Sequence, residues 1–409
     1  MDIFVARQPI FSRQKKLFAY ELLHRGSMKN VFPGTDGDKA TSSVLVNTFL
    51  SIGLDKLVGP KWAFINFTEQ HLLAQTPVQF PPEKVIVEIL EHVLPTPEII
   101  NGCKQLKENG YILALDDFIF DDNLEPLVEI ADIIKVDFQD VAVGVIQEKV
   151  KALREKKIKL LAEKIETYSE FDAARKMGFS YFQGYFFSRP EVLKNREISS
   201  SKINLLALLS EVNRKKINLK KIEKMMAPDV AISYKLLRYI NSAYYYLLNE
   251  VKSLHHALIY LGEEGVRQFV SLVATSELSA DKPDELIRTA IIRARLSELL
   301  GGYGSIKQDT SVLFLVGLFS LLDAMLDVSM QHIVEQLPLS GELKDALVEQ
   351  KGPLASYLKT VISYEQGNWT KCSSLLGEIG VDGADMLSGY LDAVEWADLF
   401  AEGKVGSSS

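Results

Sequence analysis

Five short runs of apolar, β-branched and aromatic residues recur in the first half of the chain. They are WAFINF, KVIVEI, YILALD, DIIKVD and KIKLLAE, at 62–67, 84–89, 111–116, 132–137 and 157–163. Amphipathic stretches with helical spacing separate most of these runs, for example 97–110 and 141–157. Because strands that alternate with helices pair in parallel, this half of the chain is predicted to have an α/β fold.

Each of these runs carries a polar residue at or near its end. The polar residues are about 20 to 28 positions apart, the length of one strand–helix unit. In a (β/α) barrel the carboxyl ends of the strands meet at one face, where barrel enzymes place their chemistry. We therefore expect a cluster of polar side chains at the mouth of a barrel, formed by Asn66, Glu88, Asp116, Asp137 and Glu163.

Two aspartates, Asp116 and Asp117, are adjacent where the run 111–116 ends. Neighbouring carboxylates repel each other, so a compensating interaction is expected. Taken alone, the pair indicates either a divalent-metal site or an acidic loop that caps a strand.

The second half of the chain, after about residue 195, has few strand-like runs and many Leu, Ala, Glu and Ser residues at helical spacing. We place a boundary within 194–202 and predict a barrel domain over 1–195 and an all-helical domain over 200–405. The most apolar segment, 311–326, is interrupted by Asp323 and is short for a membrane span, so it is predicted to be a buried helix.

Composition excludes several classes of protein. The formal net charge of −8 argues against direct nucleic-acid binding, which needs a basic surface. The two cysteines, Cys103 and Cys372, are far apart and offer no disulfide framework, as is usual in a reducing compartment. Without a secretory signal at the N-terminus or a membrane span, a cytoplasmic location is expected.

Seven blocks of the first half resemble, in order and content, the EAL domain, the bacterial phosphodiesterase barrel for cyclic di-GMP. The blocks are YELLHR (20–25), INFT (65–68), VEILE (87–91), ALDDF (114–118), IKVDF (134–138), LAEKIET (161–167) and FQGYFFSRP (182–190). The upstream segment ARQPIF (6–11) resembles the entry to that domain.

The resemblance implies a site for Mg²⁺ or Mn²⁺, which prefer carboxylate and amide oxygens. It implies that Lys135 lies at the attacking water and that Glu163 lies near a second metal or acts as a base. It places Arg25, Gln183 and Leu23 beside the ligand and makes Glu91 an anchor for a loop. The metal ligands that it implies are Glu21, Asn66, Glu88, Asp116, Asp117 and Asp137.

The chain also departs from the EAL pattern at three places. Glu-Ala-Leu is here Glu21-Leu22-Leu23, and a glycine that follows the acid of the sixth block is replaced by Lys164. The glycine-rich loop after the paired aspartates is replaced by Ile119, Phe120 and Asp121, which lack the backbone freedom of glycine. These departures predict one metal site rather than two, and slow or absent hydrolysis.

The helical half resembles the HDOD domain, a relative of the metal-dependent HD phosphohydrolases. The supporting blocks include INSA (240–243), SLHHALIYLG (253–262) and FLVGLFSLLDAML (314–326). Ser320 and Leu321 stand where an HD enzyme has its metal-binding His and Asp, so this half is predicted to be a regulatory or protein-binding module without a metal.

Two functions follow from these resemblances. In the first, a degenerate barrel senses or scaffolds cyclic di-GMP with weak or no hydrolysis and transmits its output through the HDOD domain to a signalling protein. In the second, the barrel is an active metal-dependent phosphodiesterase that yields the linear dinucleotide pGpG. A homodimer is a further option in either case, and neither a membrane nor a nucleic acid is an expected partner.

Overall fold

The computed structural model contains two compact units. The first comprises Met1–Phe187 together with Glu365–Trp369, and the second comprises Ser188–Tyr364 and Thr370–Ser409. The structure describes residues 4–25, 49, 52–118, 122–139, 150, 153, 155–191, 200–228, 232, 235–236, 240, 251 and 253–401.

Eight strands close the first unit into a barrel in the order β1 to β8. The five strands predicted from the apolar runs are present as β3 to β7, which confirms the TIM-like α/β class. The strands are β1 (Phe4–Ser12), β2 (Leu17–Arg25), β3 (Trp62–Phe67), β4 (Val85–Ile89), β5 (Ile112–Leu115), β6 (Ile133–Asp137), β7 (Lys159–Glu163) and β8 (Tyr181–Gln183).

One strand differs from the parallel arrangement that strand–helix alternation predicts. β1 runs antiparallel to both of its neighbours, β2 and β8, whereas the remaining pairs are parallel. The cause is the tight turn after β1, in which Ser12 N–H donates to Lys16 O at 2.8 Å. A connection this short can join only antiparallel strands.

Short helices connect the strands on the outside of the barrel. In α3, Pro97 occupies the first turn and the Thr96 hydroxyl accepts from Ile99 N–H, so the helix begins at a defined residue. The predicted helix over 141–157 lies largely outside the described residues. The helices are α1 (Leu54–Val58), α2 (Glu69–Leu73), α3 (Pro97–Glu108), α4 (Glu125–Val128) and α5 (Tyr168–Met177).

The inside of the barrel holds a layer of apolar side chains, all of them buried. Side chains alternate across a strand, so the residues two positions nearer the mouth also point inward. Those inward positions form the floor and walls of the site described below. The apolar layer consists of Ile10, Ala19, Phe64, Ile86, Ala114, Ile133 and Leu161.

The second unit is helical. Its elements are α6 (Ser200–Val212), α7 (Leu219–Met226), α8 (Leu254–Leu278), α9 (Asp284–Tyr303), α10 (Thr310–Phe319), α11 (Leu322–Leu326), α12 (Met330–Gln336), α13 (Gly341–Val348), α14 (Pro353–Glu365), α15 (Trp369–Ile379) and α16 (Gly383–Ala401). None of the helices in the described part of the chain is long and apolar enough to cross a membrane.

The apolar segment 311–326 is buried as predicted, but it is not one helix. It forms α10 and α11, which are separated at Ser320 and Leu321. The Ser320 hydroxyl donates to Gly317 O at 2.7 Å, and Leu321 has a non-helical backbone at φ −125° and ψ 14°. A side chain that competes for a backbone carbonyl in this way favours the end of a helix.

Candidate functional site

A ring of polar side chains lies directly above the apolar layer of the barrel. Each member is two residues from a residue of that layer, or from Tyr181 on β8, so strand alternation alone points it inward. The ring consists of Gln8, Glu21, Asn66, Glu88, Asp116, Lys135, Glu163 and Gln183.

Lys135 lies at the centre of this ring and is completely buried. Its ammonium nitrogen is 3.2 Å from Glu21 Oε2, 2.8 Å from Asp116 Oδ1 and 2.9 Å from Glu163 Oε1. The same nitrogen also contacts Glu88 Oε1. Four strands thus each place one carboxylate beside the Lys135 ammonium. Three of these strands precede Lys135 in the chain, and one follows it.

Burial and charge act in opposite directions on Lys135. Burial lowers its pKa, but the surrounding carboxylates, led by Glu163 and Glu21, raise the pKa well above the ordinary value. Lysine is therefore charged at neutral pH in spite of its burial. The ring has more negative than positive groups, which favours an additional cation.

The pKa values of two carboxyls in the ring reflect the same excess of negative charge. Burial, followed by the charge of Glu21, raises the pKa of Glu88 well above its ordinary value. Burial also raises the pKa of Glu163 to about 8, against the opposing effect of Lys135. Both groups would be stabilised in their charged form by a nearby divalent cation.

Four buried oxygens of the ring have no hydrogen-bond donor among the residues that the structure describes. Each belongs to a side chain that uses its other polar atom within the ring, as Asn66 does when its Nδ2 donates to Glu21 Oε1 at 3.2 Å. Unpaired buried acceptors are costly, and a hard cation would satisfy them. The donor set therefore fits Mg²⁺ or Mn²⁺. The four atoms are Asn66 Oδ1, Glu88 Oε2, Glu163 Oε2 and Gln183 Oε1.

Asp117 lies beside this ring. Oxygens of Asp116, Asp117 and Glu163 are all within 4.8 Å of one another, the one group of three such side chains found in the described residues. The backbone of Asp117 is left-handed, at φ +38°. Burial, followed by the charge of Asp116, raises the pKa of the Asp117 carboxyl.

Asp137, at the end of β6, is engaged on both oxygens. Its Oδ1 accepts from Gln139 N–H at 2.8 Å, and its Oδ2 pairs with the ammonium of Lys164. Asp137 is thus held by this chain's own donors, whereas Glu88 and Glu163 each leave one oxygen unpaired.

Gln183, on β8, connects the last strand of the barrel to the first two strands. Its Nε2 donates to Glu21 Oε2 at 2.7 Å and to Gln8 Oε1 at 3.0 Å. A cavity of about 380 Å³ has Gln8, Leu23, His24 and Asn66 in its wall. Burial lowers the pKa of His24 to about 4, so the cavity presents a neutral imidazole at neutral pH.

The other predicted residues are placed as follows. Leu22 is buried, and strand alternation sets it on the opposite face of β2 from Glu21, so the enlarged side chain does not enter the ring. Glu91 is exposed and pairs with its neighbour His92 at 3.8 Å. The side chain of Arg25, and the residues Ile119, Phe120 and Asp121, lie outside the described residues.

One member of the ring, Gln8, was not predicted. It comes from β1, two residues before Ile10, and its amide accepts from Gln183. Had ARQPIF been interpreted as a strand, the two-residue period of a strand would have placed Gln8 on the same face as Ile10.

No comparable group of carboxylates is found among the described residues of the helical unit. Arg293, on α9, donates to the Ser320 hydroxyl at 3.2 Å, and Leu321 is buried. These side chains provide neither the imidazole nor the carboxylate that binds a metal in an HD enzyme.

Comparison with known proteins matches both halves of the chain. The EAL domain model matches residues 46–190, and the HDOD domain model matches residues 202–336. A Vibrio cholerae protein named cyclic di-GMP phosphodiesterase CdgJ is 36% identical over 397 residues, which is 96% of this chain and 92% of that protein. The uncharacterized protein YuxH of Bacillus subtilis is 36% identical over 412 residues, 99% of this chain and 100% of that protein.

Among solved structures, Klebsiella pneumoniae BlrP1 in a manganese and cyclic di-GMP complex is similar to part of the chain. The identity is 21% and the TM-score is 0.38, and the match covers 46% of this chain and 55% of that one. The two domain models, in this order, and the two near-full-length relatives establish the family. The chain belongs to the proteins that join an EAL domain to an HDOD domain.

Proposed function

We propose that the barrel binds cyclic di-GMP together with one divalent cation and hydrolyses it slowly, so that the protein acts mainly as a receptor in cyclic di-GMP signalling. The observation that carries this proposal is the polar ring around Lys135, with its four unpaired buried oxygens. The activity named for the Vibrio cholerae relative supports the choice of ligand.

The cation would be held by Glu21, Asn66, Glu88 and Asp116. When bound, Mg²⁺ or Mn²⁺ lowers the pKa of a coordinated water and offsets the charge of a phosphate. Of the other metal ligands that the resemblance implies, Asp137 pairs with Lys164, and Asp117 lies beside Asp116 and Glu163.

The chain's own residues have three roles in this proposal. Lys135 donates hydrogen bonds at the centre of the ring and keeps the surrounding carboxylates in place. Glu163, whose pKa is raised to about 8 by burial, mostly holds its proton at neutral pH in the ring alone, and a bound cation would favour the charged form that can accept a proton. Asn66 and Gln183 present amide groups that can bind and orient the phosphodiester, and the cavity next to Leu23 can exclude water from the ligand.

Output through the helical unit completes the proposal. The positions that hold a metal in HD enzymes are occupied by Ser320 and Leu321, beside the cation Arg293. We propose that this unit binds a signalling protein and contributes no catalytic group.

Binding and turnover can be measured on the full-length chain. Calorimetric titration with cyclic di-GMP in Mg²⁺ or Mn²⁺ is expected to show binding that Glu21→Ala abolishes. The linear product pGpG, followed by chromatography, is expected to form well below the roughly 1 to 10 per second of an ordinary enzyme. A lack of binding in both metals would refute the proposal.

An active phosphodiesterase is the second candidate. It is favoured by the complete ring and by the name of the 36% identical relative. Turnover in the ordinary enzyme range that disappears in Glu21→Ala would establish it in place of the receptor function.

A further inference from the structure

Lys164 immediately follows the ring residue Glu163 and extends to the carboxylate of Asp137. Asp137 is at the end of β6 and Lys164 directly follows β7, so two neighbouring strands bring this pair to the mouth of the barrel. The pair lies at the same end of the barrel as the ring around Lys135.

The backbone at Lys164 is left-handed, at φ +54°. Residues with a β-carbon rarely adopt this conformation, which glycine adopts without strain. Glycine is also the residue that the EAL pattern has at this position. The backbone conformation at this position therefore favours glycine over lysine, and an interaction of the lysine side chain can offset the strain.

The ion pair with Asp137 supplies such an interaction. Asp137 is 9% exposed, so its carboxylate needs a partner, and the Lys164 ammonium and the Gln139 N–H occupy one oxygen each. The Gln139 side chain in turn donates to Lys164 O at 3.1 Å, which fixes the lysine backbone beside the aspartate.

The charge of Lys164 also reaches the acidic group beside the ring. Burial and the charge of Asp116 raise the pKa of the Asp117 carboxyl, and the charge of Lys164 opposes that rise. The acidic group itself contains an unpaired buried oxygen, Glu163 Oε2, and Glu163 is 8% exposed.

From this arrangement we infer that the Lys164 ammonium takes the place of a second cation beside Asp137. The inference rests on the proposed function, in which the ring holds the first divalent cation. Lys164 is a positioning residue in this scheme. It neutralises one part of the site permanently, and Asp137 is unavailable to a metal while the ion pair is intact.

Removal of the lysine charge should therefore open a second metal site. Lys164→Gly removes both the charge and the side chain, and Lys164→Met removes the charge but keeps the length and the backbone strain. Lys164→Arg preserves the charge. Lys157→Gly is a matched control, because Lys157 is exposed, has a similar backbone at φ +66°, and precedes β7 at the opposite end of that strand.

The measurement is Mn²⁺ binding to the full-length chain, followed by the loss of the spin-resonance signal of free aqueous Mn²⁺. The wild type, Lys164→Arg and Lys157→Gly should each bind one Mn²⁺, whereas Lys164→Gly and Lys164→Met should each bind two. Thermal unfolding of every variant, recorded in parallel, verifies that it is folded.

Two equally tight Mn²⁺ sites in the wild type would overturn the inference, as would a single site that persists in both charge-removing variants. A second site in Lys164→Gly alone would also overturn it, because backbone relief and not charge would then be responsible. The proposed function is tested separately by cyclic di-GMP. Suppose that no variant binds cyclic di-GMP, but the number of bound Mn²⁺ ions still rises from one to two in the charge-removing variants. The proposed nucleotide ligand would then be wrong, and the role of Lys164 would be supported.

Discussion

At the scale of single residues, Lys135 holds the carboxylates at the mouth of the barrel together. Four carboxylates from four different strands converge on one buried ammonium, and each of them would repel the others without it. A buried charge that loses its partner is strongly destabilising, so this lysine has a structural role in addition to any part in the reaction.

The first prediction concerns Lys135→Met in metal-free solution. Because the carboxylates lose their common partner, the free energy of unfolding should fall by about 3 kcal/mol or more. Mn²⁺ should restore part of that loss, and the rise in melting temperature on adding Mn²⁺ should be larger than in the wild type. Thermal and urea unfolding with and without Mn²⁺ measure both effects.

Lys107→Met is the matched control. Lys107 also pairs with a carboxylate, Asp132, at 2.8 Å, but both side chains are about one-third exposed. Its loss should cost less than about 1 kcal/mol and should be insensitive to Mn²⁺. Equal losses in the two variants would show that the buried ring adds nothing to an ordinary surface ion pair.

At the scale of elements, the last strand is fixed by a close approach between two backbones. Ile165 N–H donates to Gln183 O at 3.0 Å, and Phe186 N–H donates to Ile165 O at 3.1 Å. Gly184 lies between these bonds at φ +143°, where a β-carbon would be 2.5 Å from Ile165 N. Only glycine allows the chain after β8 to approach the end of β7 so closely.

The second prediction is that Gly184→Ala destabilises the barrel. The added methyl group must displace the Ile165 backbone, which carries Glu163 and Lys164 with it. We expect a loss of about 2 kcal/mol or more, together with weaker Mn²⁺ binding. Urea unfolding and Mn²⁺ titration measure these two effects.

Gly377→Ala provides the comparison, since nothing lies within 4 Å of a β-carbon at this position in α15. Alanine is the better helix former, so this variant should gain about 0.5 to 1 kcal/mol and bind Mn²⁺ as the wild type does. If Gly184→Ala were as stable as Gly377→Ala, the close approach of the two backbones at Gly184 would not require glycine.

Much of the barrel could be predicted at the scale of elements, because the residues that end each strand can be recognised from the sequence around them. Residues such as Glu88 and Glu163 end apolar runs, and parallel strands necessarily bring such ends together. The antiparallel β1 could not be predicted from strand–helix alternation, and Gln8 was missed with it. The convergence of carboxylates on Lys135 and the pairing of Lys164 with Asp137 depend on the closed barrel, because each joins residues from different strands.

At the scale of the whole molecule, the two units have separate cores and different kinds of buried polar groups. The barrel buries four carboxylates around one lysine, whereas the helical unit buries pairs such as Lys282 with Asp327, at 2.5 Å. A divalent cation should therefore act on one unit and leave the other unchanged.

The third prediction is that Mn²⁺ at about 100 times its dissociation constant stabilises the barrel unit by about 2.7 kcal/mol. For a unit of this size the melting temperature should rise by about 5 to 10 °C. Calorimetry of the full chain should show the shift in the barrel transition and none in the helical transition.

Glu21→Gln should abolish the shift, because it removes a charged group of the ring. Asp55→Ala should preserve it, because Asp55 pairs with Lys84 on the surface, where its side chain is 82% exposed. An equal Mn²⁺ shift in both transitions, or its persistence in Glu21→Gln, would contradict the placement of the metal.

The pairing of β1 with β8 has a consequence for the order of events during synthesis. Ile10 and Gln183 are partners in the sheet although they are separated by most of the barrel sequence. At about 5 to 20 residues per second, a ribosome needs roughly ten seconds or more to produce the second partner after the first. Once β2 has been made, β1 and β2 can form a hairpin, but until β8 is made the barrel cannot close and Gln183 cannot reach Glu21. A nascent chain therefore cannot assemble the polar ring until β8 has left the ribosome, and ligand binding begins only with the completed barrel.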